Sequence, residues 1–488
     1  MAVLIRRVVV DPVWPPTAPD ADRGHVDVRV VGDRIDDIAP GLAGRADDEV
    51  IDGHGGPILP GLHDHHVHLW AWAAAAASVE VGPPAVRSTH ELAARLRAAP
   101  GAPDSWIRAI GYHDSVAGPL DAAALDRLVP DRPVRVQHRS GALWILNSRA
   151  LEALGIGQVR VTPSTPPGVE LDAAGRATGR MWREDTWLRS RLTAAVGSPT
   201  PDLGTVSRRA ASRGVTGLTD ATPDLDDGAL AALVSARTGG PIRQRLHLMV
   251  GPSSALGGPA WPAGISRGPV KVLLDDDRLP SFDELVDRFA QAHSRGRPVA
   301  VHCVTRTQAT LTVAALAAAG AQPGDRIEHG AVLGADLLPT VRQLGLTVVT
   351  QPGFVTARGD RYLADVAPDD VRDLWRLRSL LDEGIPVALS TDAPFGPDDP
   401  WAVVRAAASR QTAAGRSLGP SERIADRLAI ARFCGEPDKP GRRRTVARGA
   451  PADLVVLADP LDDSLESGAP TVLATVSAGT VIHRAEGA

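Results

Sequence analysis

From about residue 200 onward, short apolar runs alternate with longer segments rich in alanine, leucine and arginine. Each apolar run has the length and the branched side chains of a buried strand, and the segments between the runs have helical periodicity. Helices are predicted, among other places, over residues 283–294, 307–319 and 371–382. The predicted strands are residues 215–220, 245–250, 270–274, 299–302, 326–329, 347–350 and 387–392.

One further predicted strand, directly after the Pro60-Gly61 break, holds four histidines and an aspartate within six positions. In a regular strand, residues i and i+2 point to one face, so His66 and His68 project together at a separation that suits a metal. His65 and His66 lie on opposite faces, so only part of the cluster can serve one metal. The roles of His63 and His65 stay open.

Eight alternating strand–helix units predict an α/β fold, specifically a (β/α)8 TIM barrel. The alternative, a doubly wound sheet, lacks support because no Gly-x-Gly-x-x-Gly motif follows any strand. Both chain ends are β-rich, so residues 1–58 and 443–488 are predicted to form one small β-sandwich-like domain. The barrel is then residues 59–79 and 198–442. Residues 80–197 lack the repeating pattern and are predicted to form an insertion subdomain after the first barrel strand, over the barrel mouth.

Composition and charge argue against several classes of protein. Apolar residues make up 43% of the chain and charged residues 23%, which is ordinary for a globular protein with a large core. The formal net charge of -5 is small for 488 residues and argues against a nucleic-acid groove or an anionic membrane partner. Two cysteines cannot make a disulfide framework, no apolar run can span a bilayer, and the N-terminus lacks a signal-peptide pattern. A cytoplasmic location is expected.

Chemically active side chains recur at the ends of the predicted strands, where a barrel enzyme carries its active site. Taken singly, each has a structural explanation: a core histidine, a snorkelling lysine or an aspartate that caps a helix. Together, at equivalent ends of five strands, they predict one metal-dependent site. The candidates are His66, His68, Lys271, His302, His329 and Asp392.

Several motifs resemble those of the amidohydrolase superfamily. Three of them carry the strand-end residues: Pro60-Gly61-Leu62-x-Asp64-x-His66-Val67-His68, Arg326-Ile327-Glu328-His329-Gly330 and Leu389-Ser390-Thr391-Asp392-Ala393-Pro394. Two more lie in the insertion and near the end of the chain: Asn147-Ser148-Arg149-Ala150-Leu151 and Pro451-Ala452-Asp453-Leu454-Val455-Val456-Leu457. The combination is similar to amidohydrolase family 3, which includes N-substituted formamide deformylases.

The resemblance implies a divalent metal, with zinc as the expected ion, in a site of one or two ions. His66 and His68 bind one metal, while His302 and His329 complete that site or hold a second ion. Lys271 corresponds to a lysine that is carboxylated and bridges two metals in binuclear members of the superfamily. Asp392 is the general base and then the general acid.

The implied reaction is hydrolysis of an amide-type C–N bond, outside peptides, in a small N-acyl or N-formyl compound. The same scaffold could instead act as an esterase or lactonase, a deaminase or a decarboxylase, because the fold does not fix the reaction. A scaffold protein without catalysis is the least favoured alternative, since no ligand position is substituted. A homodimer is a further expectation.

The sequence departs from the family pattern in two places. The segment that begins at Arg139 stands where relatives carry Gly-His, and a short acidic run at residues 275–277 follows Lys271. Both departures bear on the substrate rather than on the class of reaction. Candidate substrate-binding residues are Tyr112, His138, Arg139, Trp182 and Gln351.

Overall fold

The structure, a computed structural model, describes residues 2–13, 24–83, 85–102, 104–156, 165–196, 201–223, 225–251 and 261–487. The chain divides into two compact units: Met1–Leu69 with Leu203–Ala488, and Trp70–Asp202. The predicted boundary between insertion and barrel, at residues 197 and 198, lies outside the described residues. The domain bounds and the place of the insertion over the barrel mouth stay predictions.

Strands occur in both units and are numbered in chain order. They are Ala2–Val10 (β1), Val26–Val31 (β2), Arg34–Ala39 (β3), Asp48–Asp52 (β4), Pro57–Pro60 (β5), Leu62–Val67 (β6), Val79–Glu80 (β7), Ile107–Tyr112 (β8), Val134–His138 (β9), Leu143–Leu146 (β10), Val169–Leu171 (β11), Ala177–Trp182 (β12), Val215–Asp220 (β13), Arg245–Leu248 (β14), Ile265–Arg267 (β15), Val270–Val272 (β16), Val299–Cys303 (β17), Arg326–His329 (β18), Thr347–Thr350 (β19), Val387–Leu389 (β20), Leu454–Leu457 (β21), Val472–Ser477 (β22) and Thr480–Arg484 (β23).

The α-helices are numbered in the same way. They are Leu69–Ala76 (α1), Thr89–Arg97 (α2), Asp114–Ala117 (α3), Ala122–Leu128 (α4), Ser148–Ala153 (α5), Asp185–Val196 (α6), Leu203–Ala211 (α7), Asp227–Thr238 (α8), Phe282–Ser294 (α9), Arg306–Ala319 (α10), Leu338–Gln343 (α11), Gly353–Asp365 (α12), Pro368–Val371 (α13), Arg378–Asp382 (α14), Pro400–Ser409 (α15), Asp426–Phe433 (α16) and Leu461–Ser467 (α17). Short 3₁₀ helices cover Asp276–Arg278, Ala335–Leu337 and Pro420–Glu422.

Strands from both ends of the chain share one sheet in the larger unit. Its order is β23-β22-β21-β5-β1-β2-β3, and β4 pairs with β1. Apolar side chains from early and late strands pack into one core, which includes Val3, Ile5, Val28, Ile58 and Val456. Burial of these side chains joins the two ends of the chain.

Two parallel sheets make up the middle of the larger unit. One has the order β15-β14-β13-β6 and the other the order β16-β17-β18-β19-β20, and every pairing within them is parallel. Their strands are short and, apart from β15, almost wholly buried, as in β19, which reads Thr-Val-Val-Thr. Apolar parallel strands of this kind are covered by helices on their faces. The α/β fold class is therefore confirmed.

One continuous segment serves both parallel sheets, because only two residues separate β15 from β16. On one side, the Gly268 backbone N–H donates to the Leu248 carbonyl oxygen at 2.8 Å. Two residues later, the Val270 N–H donates to the Pro298 carbonyl oxygen, also at 2.8 Å. The segment thus bends between β15, which the sequence does not predict, and β16, which corresponds to the predicted fourth strand and carries Lys271.

The other edges of the two sheets are joined just after β6 and β20. The Asp392 N–H donates to the His66 carbonyl oxygen, and the His68 N–H donates to the Ala393 carbonyl oxygen, both at 2.9 Å. These bonds bring the end of the histidine-bearing strand beside the segment that carries Asp392.

Helix caps fix the loops that follow the strands. Thr305 caps α10 in a capping box with Gln308, and the Gln308 side-chain oxygen also accepts from the Val304 N–H at 2.8 Å. Ser281 and Glu284 form the same arrangement at the start of α9. Reciprocal side-chain bonds of this kind satisfy N–H groups that a helix start leaves open. His302 lies in β17, and the cap of α10 holds the short loop directly after this strand.

The smaller unit contains a six-stranded sheet of order β11-β12-β10-β9-β8-β7. Helices α2 and α4 pack on it around an apolar core that includes Leu92, Leu125, Ile107, Val134 and Ile145. Unlike the parallel sheets, this sheet mixes parallel and antiparallel pairs.

One predicted element is wrong. The sequence predicts a helix over residues 371–382, but the structure has α13 and α14 with an irregular segment between them. Trp375 in this segment has φ 52°, a left-handed conformation that a helix cannot contain. The buried Arg410 guanidinium donates to the carbonyl oxygens of Leu374 and Trp375 at 3.0 and 2.9 Å. Those carbonyls are therefore bound to a distant side chain instead of to a helical turn.

Three predicted strands are shorter than expected, since β14 ends at Leu248, β16 at Val272 and β20 at Leu389. Asp392 consequently lies in the loop after β20 rather than in the strand. Across the described residues, no helix combines the length and the apolar character needed to cross a bilayer.

Candidate metal centre

The structure brings together the six strand-end side chains that the sequence singles out. They lie within or just after four strands of the two parallel sheets and the loop after a fifth: His66 in β6, His68 just after it, Lys271 in β16, His302 in β17, His329 at the end of β18, and Asp392 after β20. Parallel strands end at the same edge, so residues far apart in sequence meet there.

His66, His68 and Asp392 form the tightest group. One ligand atom from each lies within 4.8 Å of the other two, and no other group of three such residues in the described ranges meets this spacing. His68 Nε2 is 3.3 Å and His66 Nε2 is 3.8 Å from Asp392 Oδ1. The two Nε2 atoms therefore face the same carboxylate oxygen.

The chemistry of this group fits a divalent metal. Asp392 Oδ1 is buried and has no hydrogen-bond partner among the described residues. A buried carboxylate oxygen without a donor is costly, and a bound cation would satisfy it. Two imidazole nitrogens and one carboxylate oxygen are also a common set of protein ligands to a transition metal.

His302, His329 and Lys271 surround this group. The His329 ring centroid lies 4.7 Å from that of His66 and 4.6 Å from that of His302. His329 Nδ1 is 3.9 Å from Asp392 Oδ2. Lys271 Nζ is 3.5 Å from His66 Nε2. All six predicted residues thus belong to one contiguous cluster.

Burial keeps His66, His302 and His329 neutral. It lowers the pKa of His66 well below its ordinary value, and the charge on Lys271 lowers it further. Burial likewise lowers the pKa of His302 to about 3 and that of His329 well below its usual range. Burial also lowers the pKa of Lys271. Neutral imidazoles are the form that binds metals, so burial favours the form of these side chains that a metal would bind.

Two of the candidate ligand histidines are hydrogen-bonded to other side chains through Nδ1. His66 Nδ1 is hydrogen-bonded to the carboxylate of Glu328. His329 Nδ1 is 2.8 Å from Gln351 Oε1, and the Gln351 amide group in turn donates to Ser390 Oγ at 2.8 Å. Partners at Nδ1 leave Nε2 free to face a metal.

Two of the candidate ligands have unusual backbone conformations. His329 has φ 69° and Asp392 has φ 56°. Residues other than glycine rarely adopt positive φ, and such strain concentrates at functional sites. Both residues stand where a strand gives way to a loop, so the backbone turns the side chain at that point.

The sequence predicts no role for Glu328 or Asp64, although both lie in motifs that carry candidate ligands. Each is buried beside a candidate ligand, and each forms hydrogen bonds across the site. The only sequence signal for such a role was position: Glu328 directly precedes His329, and Asp64 lies two residues before His66. A carboxylate so placed could equally have been a surface group.

His63 and His65 lie outside the group of candidate ligands. His63 Nε2 is 2.8 Å from Thr219 Oγ1, and the ring centroids of His63 and His65 are 4.6 Å apart. Both nitrogens of the buried His65 ring lack partners among the described residues. Burial lowers the pKa of both histidines well below the usual range. They form a neutral layer in the interior of the larger unit.

The candidate substrate-binding residues divide between the two units. Gln351 contacts His329, as described above. The other four lie in the smaller unit. Tyr112 is buried, and its hydroxyl group donates to the Gly118 carbonyl oxygen, while the Arg139 N–H donates to the Tyr112 carbonyl oxygen. His138 Nδ1 is 2.9 Å from Ser140 Oγ, and the exposed Trp182 donates to Glu170. Their contact with substrate stays a prediction.

The fold is shared with solved structures of hydrolases. A metal-dependent hydrolase from Pyrococcus horikoshii OT3, itself uncharacterized, superposes with a TM-score of 0.73 at 18% identity, covering 94% of this chain and 97% of that one. A similar protein from Pyrococcus furiosus gives a TM-score of 0.70 at 20% identity and covers 93% and 98% of the two chains.

Sequence comparison identifies the family. An N-substituted formamide deformylase from Arthrobacter pascens is 25% identical over 483 residues, covering 86% of this chain and 87% of that protein. The sequence pattern of the amidohydrolase family matches residues 49–483, which is most of the chain. The resemblance found in the motifs is confirmed, and the chain belongs to the amidohydrolase family of hydrolases that act on C–N bonds.

Proposed function

We propose that this protein is a metal-dependent hydrolase that cleaves the amide-type C–N bond of a small N-acyl or N-formyl compound. One observation carries the proposal: the imidazoles of His66 and His68 converge on Asp392 Oδ1, a buried oxygen without a hydrogen-bond partner among the described residues. The similarity to an N-substituted formamide deformylase supports the N-formyl class of substrate.

The proposal includes a closed barrel. The two parallel sheets are its halves, joined through the bent segment β15–β16 and through the bonds between the ends of β6 and β20. Closure explains why ligands from β6 and β18, which are not neighbours in either sheet, face each other. The ends of barrel strands are where such enzymes carry their active sites.

Zinc is the proposed ion because nitrogen donors dominate the cluster. A bound divalent metal supplies Lewis-acid chemistry, which makes a carbonyl carbon more electrophilic and water more acidic. His66, His68 and Asp392 would hold it, with His302 and His329 completing the site or serving a second ion. The histidines bind in their neutral form, so metal affinity should fall as the pH falls.

Asp392 is proposed to move the proton. Its carboxylate accepts the proton of the attacking water and then returns that proton to the leaving nitrogen as the C–N bond breaks. His68 Nε2 lies 3.3 Å from Oδ1 of this carboxylate. The side chain of Asp392 is almost fully buried, which keeps bulk water away from the proton it carries.

Lys271 is proposed to be carboxylated. An ammonium group beside a divalent cation is unfavourable, and burial already disfavours the charged lysine. Addition of carbon dioxide to the neutral amine, with loss of a proton, would convert it into an anionic oxygen donor. With ¹³C-labelled bicarbonate, the wild-type protein should show a carbamate ¹³C signal that Lys271→Gln lacks. A wild-type protein without the signal would count against this assignment.

The proposed function is tested with the purified full-length chain. Metal content is measured beside turnover on a panel of N-formyl amines, N-acyl amines, esters and lactones, with released acid, ammonia and carbon dioxide quantified separately. We expect amide turnover, about one or two equivalents of metal, and loss of both in His66→Ala. Active protein with less than about 0.3 equivalents of metal would overturn the metal site. Ester hydrolysis, deamination or decarboxylation without amide turnover would overturn the reaction.

The family implies a small-molecule substrate. We also propose a homodimer, which light scattering on the purified chain would test.

A further inference from the structure

Glu328 lies one residue before His329, yet its carboxylate is directed to a different histidine. One oxygen is hydrogen-bonded to His66 Nδ1, and the other accepts a hydrogen bond from Arg326 Nε. Arg326 also donates to the His65 carbonyl oxygen at 3.3 Å. Glu328 and His66 are wholly buried, and Arg326 nearly so.

We propose that Glu328 is a positioning residue that holds His66 as the Nδ1–H tautomer and so presents His66 Nε2 to the metal. The inference deepens the proposed function and rests on its metal site. Glu328 itself is not among the residues whose ligand atoms converge.

The tautomer follows from the hydrogen-bonding capacity of the partner. A carboxylate only accepts hydrogen bonds, so a bond between it and a neutral imidazole requires the proton to be on Nδ1. Nε2 then carries the lone pair. This atom is the one that lies 3.8 Å from Asp392 Oδ1 and 3.5 Å from Lys271 Nζ. The ring is therefore oriented with its metal-binding atom toward the other candidate ligands.

Arg326 fixes Glu328 in turn. Because His66 and Arg326 bind different oxygens of the carboxylate, Glu328 cannot rotate away without breaking one of the two contacts. Arg326 is additionally tied to the backbone of the histidine-bearing strand through the His65 carbonyl oxygen. Strands β6 and β18 do not pair with each other, so these side chains form a direct connection between them.

A carboxylate behind a metal-binding imidazole has a known chemical effect. It fixes the ring orientation and makes the ligating nitrogen more basic, and its removal weakens metal binding by about 10–100-fold. The effect on Glu328 variants should therefore appear in metal affinity, whatever the substrate is.

The first test reads the tautomer in the metal-free wild-type protein. With ¹⁵N-labelled histidine, NMR should show His66 with a protonated Nδ1 and an unprotonated Nε2; the His66 signals are assigned by their loss in His66→Gln. The opposite tautomer would overturn the inference. This measurement needs neither metal nor substrate, so it stands apart from a failure of the proposed function.

The second test compares metal affinity in two matched variants by competition with a chromophoric chelator. Glu328→Gln should bind zinc about 10–100-fold more weakly than the wild type. The control is Glu422→Gln, since Glu422 is also buried, pairs with Arg376 at 3.4 Å and accepts from the Leu377 N–H, away from the cluster. We expect the control to bind zinc as the wild type does.

Two results of this comparison would overturn the inference: undiminished zinc affinity in Glu328→Gln, or an equal loss in Glu422→Gln, which would indicate general loosening of the fold. Should Glu328→Gln fail to fold because Arg326 loses its partner, the double variant Arg326→Gln/Glu328→Gln removes both charges. Zinc affinity must remain reduced in that variant. If the wild-type protein itself binds no zinc or other divalent metal, the proposed function fails instead.

Discussion

Asp64 and Thr391 connect the histidine-bearing strand to the segment that carries Asp392. The Thr391 N–H donates to Asp64 Oδ1 at 3.0 Å, and the Thr391 hydroxyl group donates to the other carboxylate oxygen. Both residues are buried. Asp64 lies two residues before His66, and Thr391 directly precedes Asp392, so this pair sets the distance between two candidate metal ligands.

Replacing Asp64 by alanine should therefore harm both stability and metal binding. The buried Thr391 N–H would lose its acceptor, which costs about 1–3 kcal/mol in the free energy of unfolding. Urea denaturation of the metal-free protein measures this loss, and a metal titration measures the second effect. Asp64→Asn is the matched control, because its amide oxygen can still accept from Thr391. If Asp64→Ala were as stable as Asp64→Asn, the hydrogen bond between Thr391 and Asp64 would not contribute to the free energy of unfolding.

Asp392→Asn should slow the reaction strongly. An amide cannot accept and return the proton, and general acid–base catalysis is typically worth about 10²–10⁴-fold in rate. The measurement is kcat on the best substrate of the panel, with metal content determined in the same sample. Asp382→Asn is the control, since Asp382 is mostly exposed and 3.8 Å from Arg378. Full turnover in Asp392→Asn would exclude this residue as the general base.

Two roles can be distinguished for Gln351: orienting the His329 ring for the metal, or contacting the substrate. The sequence predicts that Gln351 contacts substrate, whereas its side chain accepts a hydrogen bond from His329 Nδ1 and donates one to Ser390. Gln351→Leu should weaken metal binding by about 10-fold because His329 loses the partner that orients it. Chelator competition measures this directly. A raised KM with unchanged metal affinity would favour the substrate-binding role instead.

The pH dependence of stability should reveal the buried, neutral His247. Burial lowers its pKa to about 3, and its ring is hydrogen-bonded to Ser266 at 2.8 Å. Below about pH 6.5 the unfolded chain binds a proton at this residue that the folded chain does not, so stability falls as the pH falls toward 3. The loss is about 1.4 kcal/mol per pH unit for one such histidine.

Urea unfolding of the metal-free protein between pH 7.5 and 5.5 measures this dependence. Burial also lowers the pKa of His63, His65, His66, His302 and His329, which steepens the same curve. The contribution of His247 is therefore read from the difference between the wild type and His247→Gln. The variant should lose less stability over this range. Parallel curves for the two proteins would mean that His247 is not buried in its neutral form.

Much of the larger unit was predictable because its signals are local. Strand length, apolar content and the following helical pattern can be read within a window of a few residues, and β17, β18 and β19 lie where the sequence predicts them. The helix over residues 371–382 was not predictable. Its interruption depends on Arg410, whose side chain binds carbonyl groups more than 30 residues earlier in the sequence.

The sequence by itself determined which side chains could serve as ligands, since an imidazole, a lysine or a carboxylate at a strand end has its chemistry wherever the strand lies. It also determined the family, through motifs that each span fewer than ten residues. Only the tertiary structure decided which of these groups face one another. The contacts between Glu328 and His66, between Asp64 and Thr391, and between Gln351 and His329 join separate strands. Hydrogen bonds act over about 3 Å, so no local pattern can reveal a partner that the folded chain alone brings close.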